Sequence, residues 1–252
     1  MSDFDRNVAA RGGFADRAVA IDAGLRAYML RVYNYMAAAV ALTGVVAWMT
    51  FNAAVTTDAA GKIVSLTAFG QAIFSGPMVI VLLLATLGLV FFISFRIQRL
   101  QFATALALFM IYSALLGVML SSIFLTYTGA SITRVFFISA ASFGALSLYG
   151  YTTQRDLSAM GSFLIMGLFG IIIASLVNIF LKSSGLDWAI SVIGVGVFAG
   201  LTAYDTQRIK EMYNSMDDDG TLGRKAVMGA LSLYLDFINL FMMLLRLVGD
   251  RR

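Results

Sequence analysis

The sequence predicts an all-α membrane protein with seven transmembrane helices, six of them wrapped around a central C-terminal one. Three observations carry this. Hydrophobic residues make up 60% of the 252 and charged residues 13%, where a soluble domain carries about a quarter charged. Apolar spans recur at 28–51, 74–95, 102–125, 135–151, 161–181, 188–205 and 226–248. The last of them, nearly unbroken in its apolarity over 226–245, holds one charge near its middle, Asp236.

That last span is the element around which the others are organised. About 20 apolar residues, rising about 1.5 Å each, match a hydrocarbon core about 30 Å thick. A lone carboxylate at such depth must face protein or water, not lipid. Gly229, Ser232, Asp236, Asn239 and Met243 recur at intervals of three and four, aligning small and polar residues on one stripe. The stripe is expected to present the acid to an interior cavity, with Leu233, Phe237, Leu240, Phe241 and Leu244 covering the remaining circumference.

Composition also excludes chemistry. Without cysteine there are no disulfides, thiolates or sulfur-ligated metals. Without histidine the commonest catalytic base and neutral-pH switch is missing. Proton chemistry falls to carboxylates, tyrosines or lysines, and the only glutamate is Glu211.

In chain order, residues 1–27 mix Arg6, Arg11, Arg17 and Arg26 with Asp3, Asp5, Asp16 and Asp22, with no apolar core of a secretory signal. They are expected to form a cytoplasmic tail, either ending in a short interfacial helix or solvated and disordered. Residues 28–252 are expected to form one transmembrane domain. Trp48 and Trp188 sit near span ends, as interfacial anchors do.

Charge gives orientation. Arg6, Arg11, Arg17, Arg26, Arg31, Arg96, Arg99, Arg155, Arg208, Lys210, Arg224 and Lys225 fall on one side, twelve in all, against Lys62, Arg134 and Lys182 in the opposite loops. The N-terminus is therefore expected in the cytoplasm, with the basic inner face meeting anionic lipid. Arg246, Arg251 and Arg252 conflict with this if the last span crosses fully. A re-entrant segment would resolve the conflict, but unbroken apolarity favours a crossing.

Two echoes recur. Tyr151-Thr152-Thr153-Gln154-Arg155 resembles Tyr204-Asp205-Thr206-Gln207-Arg208, and the six residues from Gly144 to Tyr149 repeat from Gly229 to Tyr234. Either these are traces of a repeat, or small residues simply recur on tightly packed membrane helices.

Asp205 is the second acid. Nothing from Thr206 to Tyr213 breaks a helix, so the sixth helix should run on to about Tyr213. Asp205 and Asp236 then lie about 12 and 15 Å from the same membrane face. If they touch, they cannot both ionise cheaply, and the pair shares one proton. Fully ionised, they form a hard oxygen site suited to Ca²⁺, with Asn239, carbonyls or water as further ligands. The plain alternative for Asp205 is a salt bridge to Arg208 or Lys210. Asp217-Asp218-Asp219-Gly220 is a fragment of a Ca²⁺-loop pattern without its remaining ligands, and reads as a solvated turn.

The run Leu231-Ser232-Leu233-Tyr234-Leu235-Asp236-Phe237-Ile238-Asn239-Leu240-Phe241, followed by Leu244-Leu245-Arg246, resembles the last-helix signature of the Bax inhibitor-1 family. Tyr204-Asp205 and Ser147-Leu148-Tyr149-Gly150-Tyr151 resemble its bacterial members, and the likeness extends from about Tyr28. It implies a proton-sharing pair at Asp205 and Asp236 that gates a slow Ca²⁺ leak, with Tyr204, Ser232 and Asn239 as supporting polar groups. It also implies an arginine latch on the acids, for which Arg99 or Arg96 would serve. No cofactor is expected, Ca²⁺ being the permeant ion, and the chain is expected to be a monomer. The rival role implied for bacterial members is restraint of a membrane-bound quality-control protease, an interaction without conduction.

Enzymatic readings fit less well. Intramembrane aspartyl proteases place Tyr-Asp on the sixth helix, as Tyr204-Asp205 does. Their seventh-helix acid, however, follows Gly-x-Gly, and they carry a Pro-Ala-Leu element, whereas Pro77 is the only proline here. A retinal-type photoreceptor needs a lysine on the last span for a Schiff base, and none is present. The expectation is a non-enzymatic inner-membrane protein that does not bind nucleic acid.

Overall fold

The computed structural model describes residues 3–58 and 62–252, with side chains from residue 23 onward. In order, the elements are α1 (Asp3–Ala54), β1 (Val55–Thr57), β2 (Ile63–Leu66), α2 (Ala68–Ile73) and α3 (Gly76–Arg96). After a 3₁₀ turn (Ile97–Arg99) come α4 (Phe102–Leu120), α5 (Ile123–Thr126), α6 (Gly129–Thr152), α7 (Ser158–Leu181), α8 (Ser184–Glu211) and α9 (Asp219–Val248). Among the described residues, seven helical segments are long and apolar enough to cross a membrane. The fold is all-α and transmembrane, as the composition predicts.

Helices α6, α8 and α9 start before their apolar cores because polar residues cap them. Thr128 caps α6 by accepting from Ser131 N, Ser183 caps α8 from Leu186 N, and Asp218 caps α9 from Thr221 N. These are the side chains that satisfy the free N–H groups of a first turn. At its other end α8 reaches Glu211, close to the expected Tyr213. The start of the chain differs from expectation. Its backbone is one helix from Asp3 into the first span, not a separate interfacial helix; the side chains of residues 3–22, and residues 1 and 2, lie outside the described set. Residues after Ala54 form a short antiparallel hairpin, where only an outer loop was expected.

Helix α9 is the most buried span: 67% of its most apolar window is buried, against 11% for α3 and α7. It packs on α1, α4, α6 and α8, while α3 packs mainly on α4, and α7 on α8. Of the six helices expected around α9, these four pack closely on it, and α3 and α7 pack mainly on its neighbours. The faces of α9 are distinct. Tyr234 meets Phe109 and Tyr112 edge-on, and Phe237 meets Phe136 and Phe143 of α6. Toward α8 the surfaces are small: a Cβ on Gly229 would lie 2.9 Å from Ile209 Cγ2, and one on Gly194 2.8 Å from Met243 Sδ.

The last span crosses. Helix α9 runs unbroken for 30 residues, about 45 Å, from the end that carries Arg96, Arg99 and Arg155 to the opposite one. There Thr128 N donates to Asp250 O (3.1 Å) and Arg252 N to Thr126 O (2.9 Å). The re-entrant alternative is excluded, and Arg246, Arg251 and Arg252 stand opposite the basic end.

Candidate functional site at the α8–α9 seam

The acids meet where the two most buried helices face each other. Consecutive helices joined by a short turn carry Asp205 and Asp236 to one depth, and the small residues along the seam let the backbones approach. The two carboxyl groups lie close enough to act directly on one another. Asp236 is 5% exposed, and its Oδ2 has no hydrogen-bond partner among the described residues. Asp205 is half-buried, and the positive charge that acts on it is that of Arg208, one turn along α8.

The other expected site residues are placed differently. Arg96 at the C-terminal end of α3 and Arg99 in the turn after it are exposed. The 3₁₀ turn that carries Arg99 touches α9, but no ion pair from either arginine to an acid is present among the described residues. Tyr204 turns toward α7, its ring against Gly161. Asn239 Nδ2 donates to Leu235 O of its own helix (2.8 Å), and Ser232 is half-buried. The pair lies in packed protein. Neither acid lines the crevice of about 640 Å³ between α1 and α6, nor the cavity of about 510 Å³ between the 3₁₀ turn and the α8–α9 turn.

Hydroxyls beside the acids form a network that periodicity alone does not reveal. Thr206 Oγ1 donates to Thr202 O (2.8 Å), so it must accept from Ser147 Oγ (2.9 Å), having one hydrogen to give. Ser147 in turn accepts from Tyr33 OH (2.6 Å). Three helices, α1, α6 and α8, are thereby joined at the residue next to Asp205. On α9, Tyr234 OH donates to Thr43 Oγ1 (2.6 Å), whose own hydrogen goes to the Ala39 and Ser113 carbonyls.

The two echo segments touch. Gln207 Nε2 donates to Arg155 O (2.8 Å) and its Oε1 accepts from Leu157 N (2.9 Å), while Lys210 Nζ donates to Tyr151 O (2.9 Å). Lys210 is thus engaged with α6, not with Asp205. The acidic run is structural too: Asp217 pairs with Lys225 at 2.6 Å and Asp218 caps α9. Among the described residues no group of three or more His, Cys, Asp or Glu side chains could hold a metal.

Seven membrane-crossing helices closed on a carboxyl-bearing last helix define the class: a polytopic membrane protein with an acid pair inside its bundle. Residues 25–252 match the family described as Inhibitor of apoptosis-promoting Bax1, and the chain belongs to that family. It is 49% identical over 241 residues to the Inner membrane protein YbhL of Escherichia coli K12, covering 94% of this chain and 97% of that one. An uncharacterized protein of Rickettsia prowazekii is 52% identical over 234 residues, 92% of each chain. One of Caulobacter vibrioides is 43% identical over the full length of both.

Proposed function

We propose that this protein is a slow, pH-sensitive Ca²⁺ leak of a bacterial inner membrane, gated by a proton shared between Asp205 and Asp236. The observation that carries the reading is the apposition of two carboxyl groups inside the bundle. Two acids so placed are held most cheaply with one proton between them; removing it leaves two like charges in a poor dielectric, which drives the helices apart or recruits a cation. The donor set fits a permeant ion. Two carboxylates offer at most four oxygens, short of the six to eight that Ca²⁺ takes, so water or carbonyls must supply the rest and binding is transient. The packed seam corresponds to a closed state, and the leak requires α8 and α9 to part.

The name of the Escherichia coli relative supports an inner-membrane location. The charge bias supports a cytoplasmic N-terminus: twelve basic residues against six, once Arg246, Arg251 and Arg252 join Lys62, Arg134 and Lys182. A reporter fused after Arg252 should then lie outside the cytoplasm. The deciding experiment is Ca²⁺ flux into liposomes holding the purified protein, compared across pH. Flux that depends on pH supports the leak. Its absence at every pH favours the second reading, an interaction protein that modulates a membrane-bound quality-control protease, to which the closed seam also lends itself.

A further inference from the structure

The three arginines at the C-terminal end oppose the charge bias of the rest of the chain, and two of them share one cavity. Arg246 at the end of α9, Arg251 just beyond it and Lys182 between α7 and α8 line a polar cavity of about 400 Å³, together with Asn178, Asp187 and Trp188. Three cations face one carboxylate there, and that carboxylate holds Arg246 loosely, at 3.7 Å. Lys182 is also the one non-glycine residue with positive φ among those described (48°). A helix C-terminus in this conformation favours glycine, and a lysine accepts some strain to stand there. The cavity lies at the membrane boundary. Trp188 is 64% exposed, and Phe180, Leu181 and Val248 offer apolar surface around it.

We propose that this cavity binds the phosphate of an anionic phospholipid headgroup from the adjoining leaflet, with the acyl chains lying against the exposed ends of α7 and α9. An excess of cations selects an anionic headgroup over a zwitterionic one, and the fork of an arginine suits phosphate oxygens. The apolar rim favours a lipid-borne phosphate over a free one.

The test is thermal unfolding of the full chain in zwitterionic detergent with added phosphatidylglycerol, phosphatidylcholine or inorganic phosphate. Phosphatidylglycerol should raise Tm by several degrees, by linkage to the folded state, and the other two by much less. Lys182→Gly and Arg251→Gln should fold normally, the first with an unchanged or higher resting Tm because glycine relieves the backbone. Each should lose roughly half or more of the phosphatidylglycerol shift. Equal shifts with both lipids, a shift reproduced by inorganic phosphate, or variants that respond as the wild type would overturn the site.

Discussion

Helices α3 and α7 and helices α8 and α9 are built from similar lengths of chain, yet they solve opposite problems. The outer pair turns Leu, Ile and Phe to lipid: Phe95 is 82% exposed and Phe180 85%. The inner pair carries hydroxyls and both acids, and hides them. In water the apolar helix goes inside; in a bilayer lipid accepts apolar surface freely, so what must be buried is polarity. The axis is therefore a helix of modest mean hydropathy, 1.7 for α9 against 2.8 for the α3 span and 2.6 for α7. A polar group on α8 or α9 is held by the packing around it, whereas a greasy group on α3 or α7 is interchangeable, and substitutions should divide along that line.

The largest effect is expected at the acid pair. On the proposed reading, Asp236→Asn and Asp205→Asn each abolish the pH dependence of Ca²⁺ flux, and the double variant is no worse than either single one, because the proton belongs to the pair. The amide keeps volume and hydrogen bonding, so Tm should hold or rise slightly. Single variants that fold normally and keep wild-type pH dependence would break the di-aspartate mechanism and favour the interaction reading. Ala at Arg96 or Arg99 tests the latch. Neither arginine touches Asp205, so flux should be unchanged, and a raised leak at every pH would restore the latch.

Glycines offer the next contrast. At Gly150 a Cβ would collide with the Ala203 carbonyl, so Gly150→Ala should push α6 from α8 and cost about 1–3 kcal/mol. At Gly88 of α3 nothing lies within 4 Å, and Ala there should be neutral or stabilising by up to about 1 kcal/mol. Unfolding in detergent measures both. Equal losses at the two sites would mean that α3 is packed, not lipid-facing.

How far the sequence foretells these differences depends on the kind of interaction. Apolar runs located all seven spans, because lipid selects for length and apolarity residue by residue. The depth match of Asp205 and Asp236 followed from helical rise alone. The caps at Thr128, Ser183 and Asp218 lengthened the helices beyond the apolar cores, since a helix is ended by local hydrogen bonding and not by hydropathy. Arg96 and Arg99 suit Asp205 in depth, but whether they reach it depends on packing order around the bundle, which no single helix carries; neither forms an ion pair among the described residues. The Tyr33–Ser147–Thr206 chain had no signal in any one helix, because its three members come from three of them. The one hint was the echo between the segments at Tyr151 and Tyr204, which now meet through Gln207 and Lys210. The hairpin at Val55–Leu66 could have been suspected from Val55-Thr56-Thr57 and Ile63-Val64, where β-branched residues favour strand.

A buried hydroxyl should matter less than a clash and more than any lipid-facing side chain. Tyr234→Phe removes the donor to Thr43 and is expected to cost about 1 kcal/mol. Phe180→Leu, on the surface of α7, should leave Tm unchanged. Should the two variants behave alike, the polarity inside the bundle carries no special weight.

The smallest effect concerns an aspartate on the rim of the same helix that buries Asp236. Asp218 is exposed, and hydrogen bonds from the Thr221 hydroxyl and backbone N–H hold its carboxyl below the ordinary value of 3.8. The unfolded chain therefore takes up the proton first as pH falls. The stabilisation is complete above the ordinary value and is lost as pH drops through the lower, folded one. At neutral pH Asp218→Asn should leave Tm nearly unchanged, because asparagine caps a helix as well as aspartate does. Asp218→Ala should lower it slightly at every pH. Below the ordinary value the wild type should drift down toward the alanine variant. The asparagine variant has no charge to lose there, so the gap that opens between it and the wild type reports the cap's charge alone. If Asp218→Asn instead changed Ca²⁺ flux as strongly as Asp236→Asn, the division between a rim that shapes α9 and a seam that works would fail.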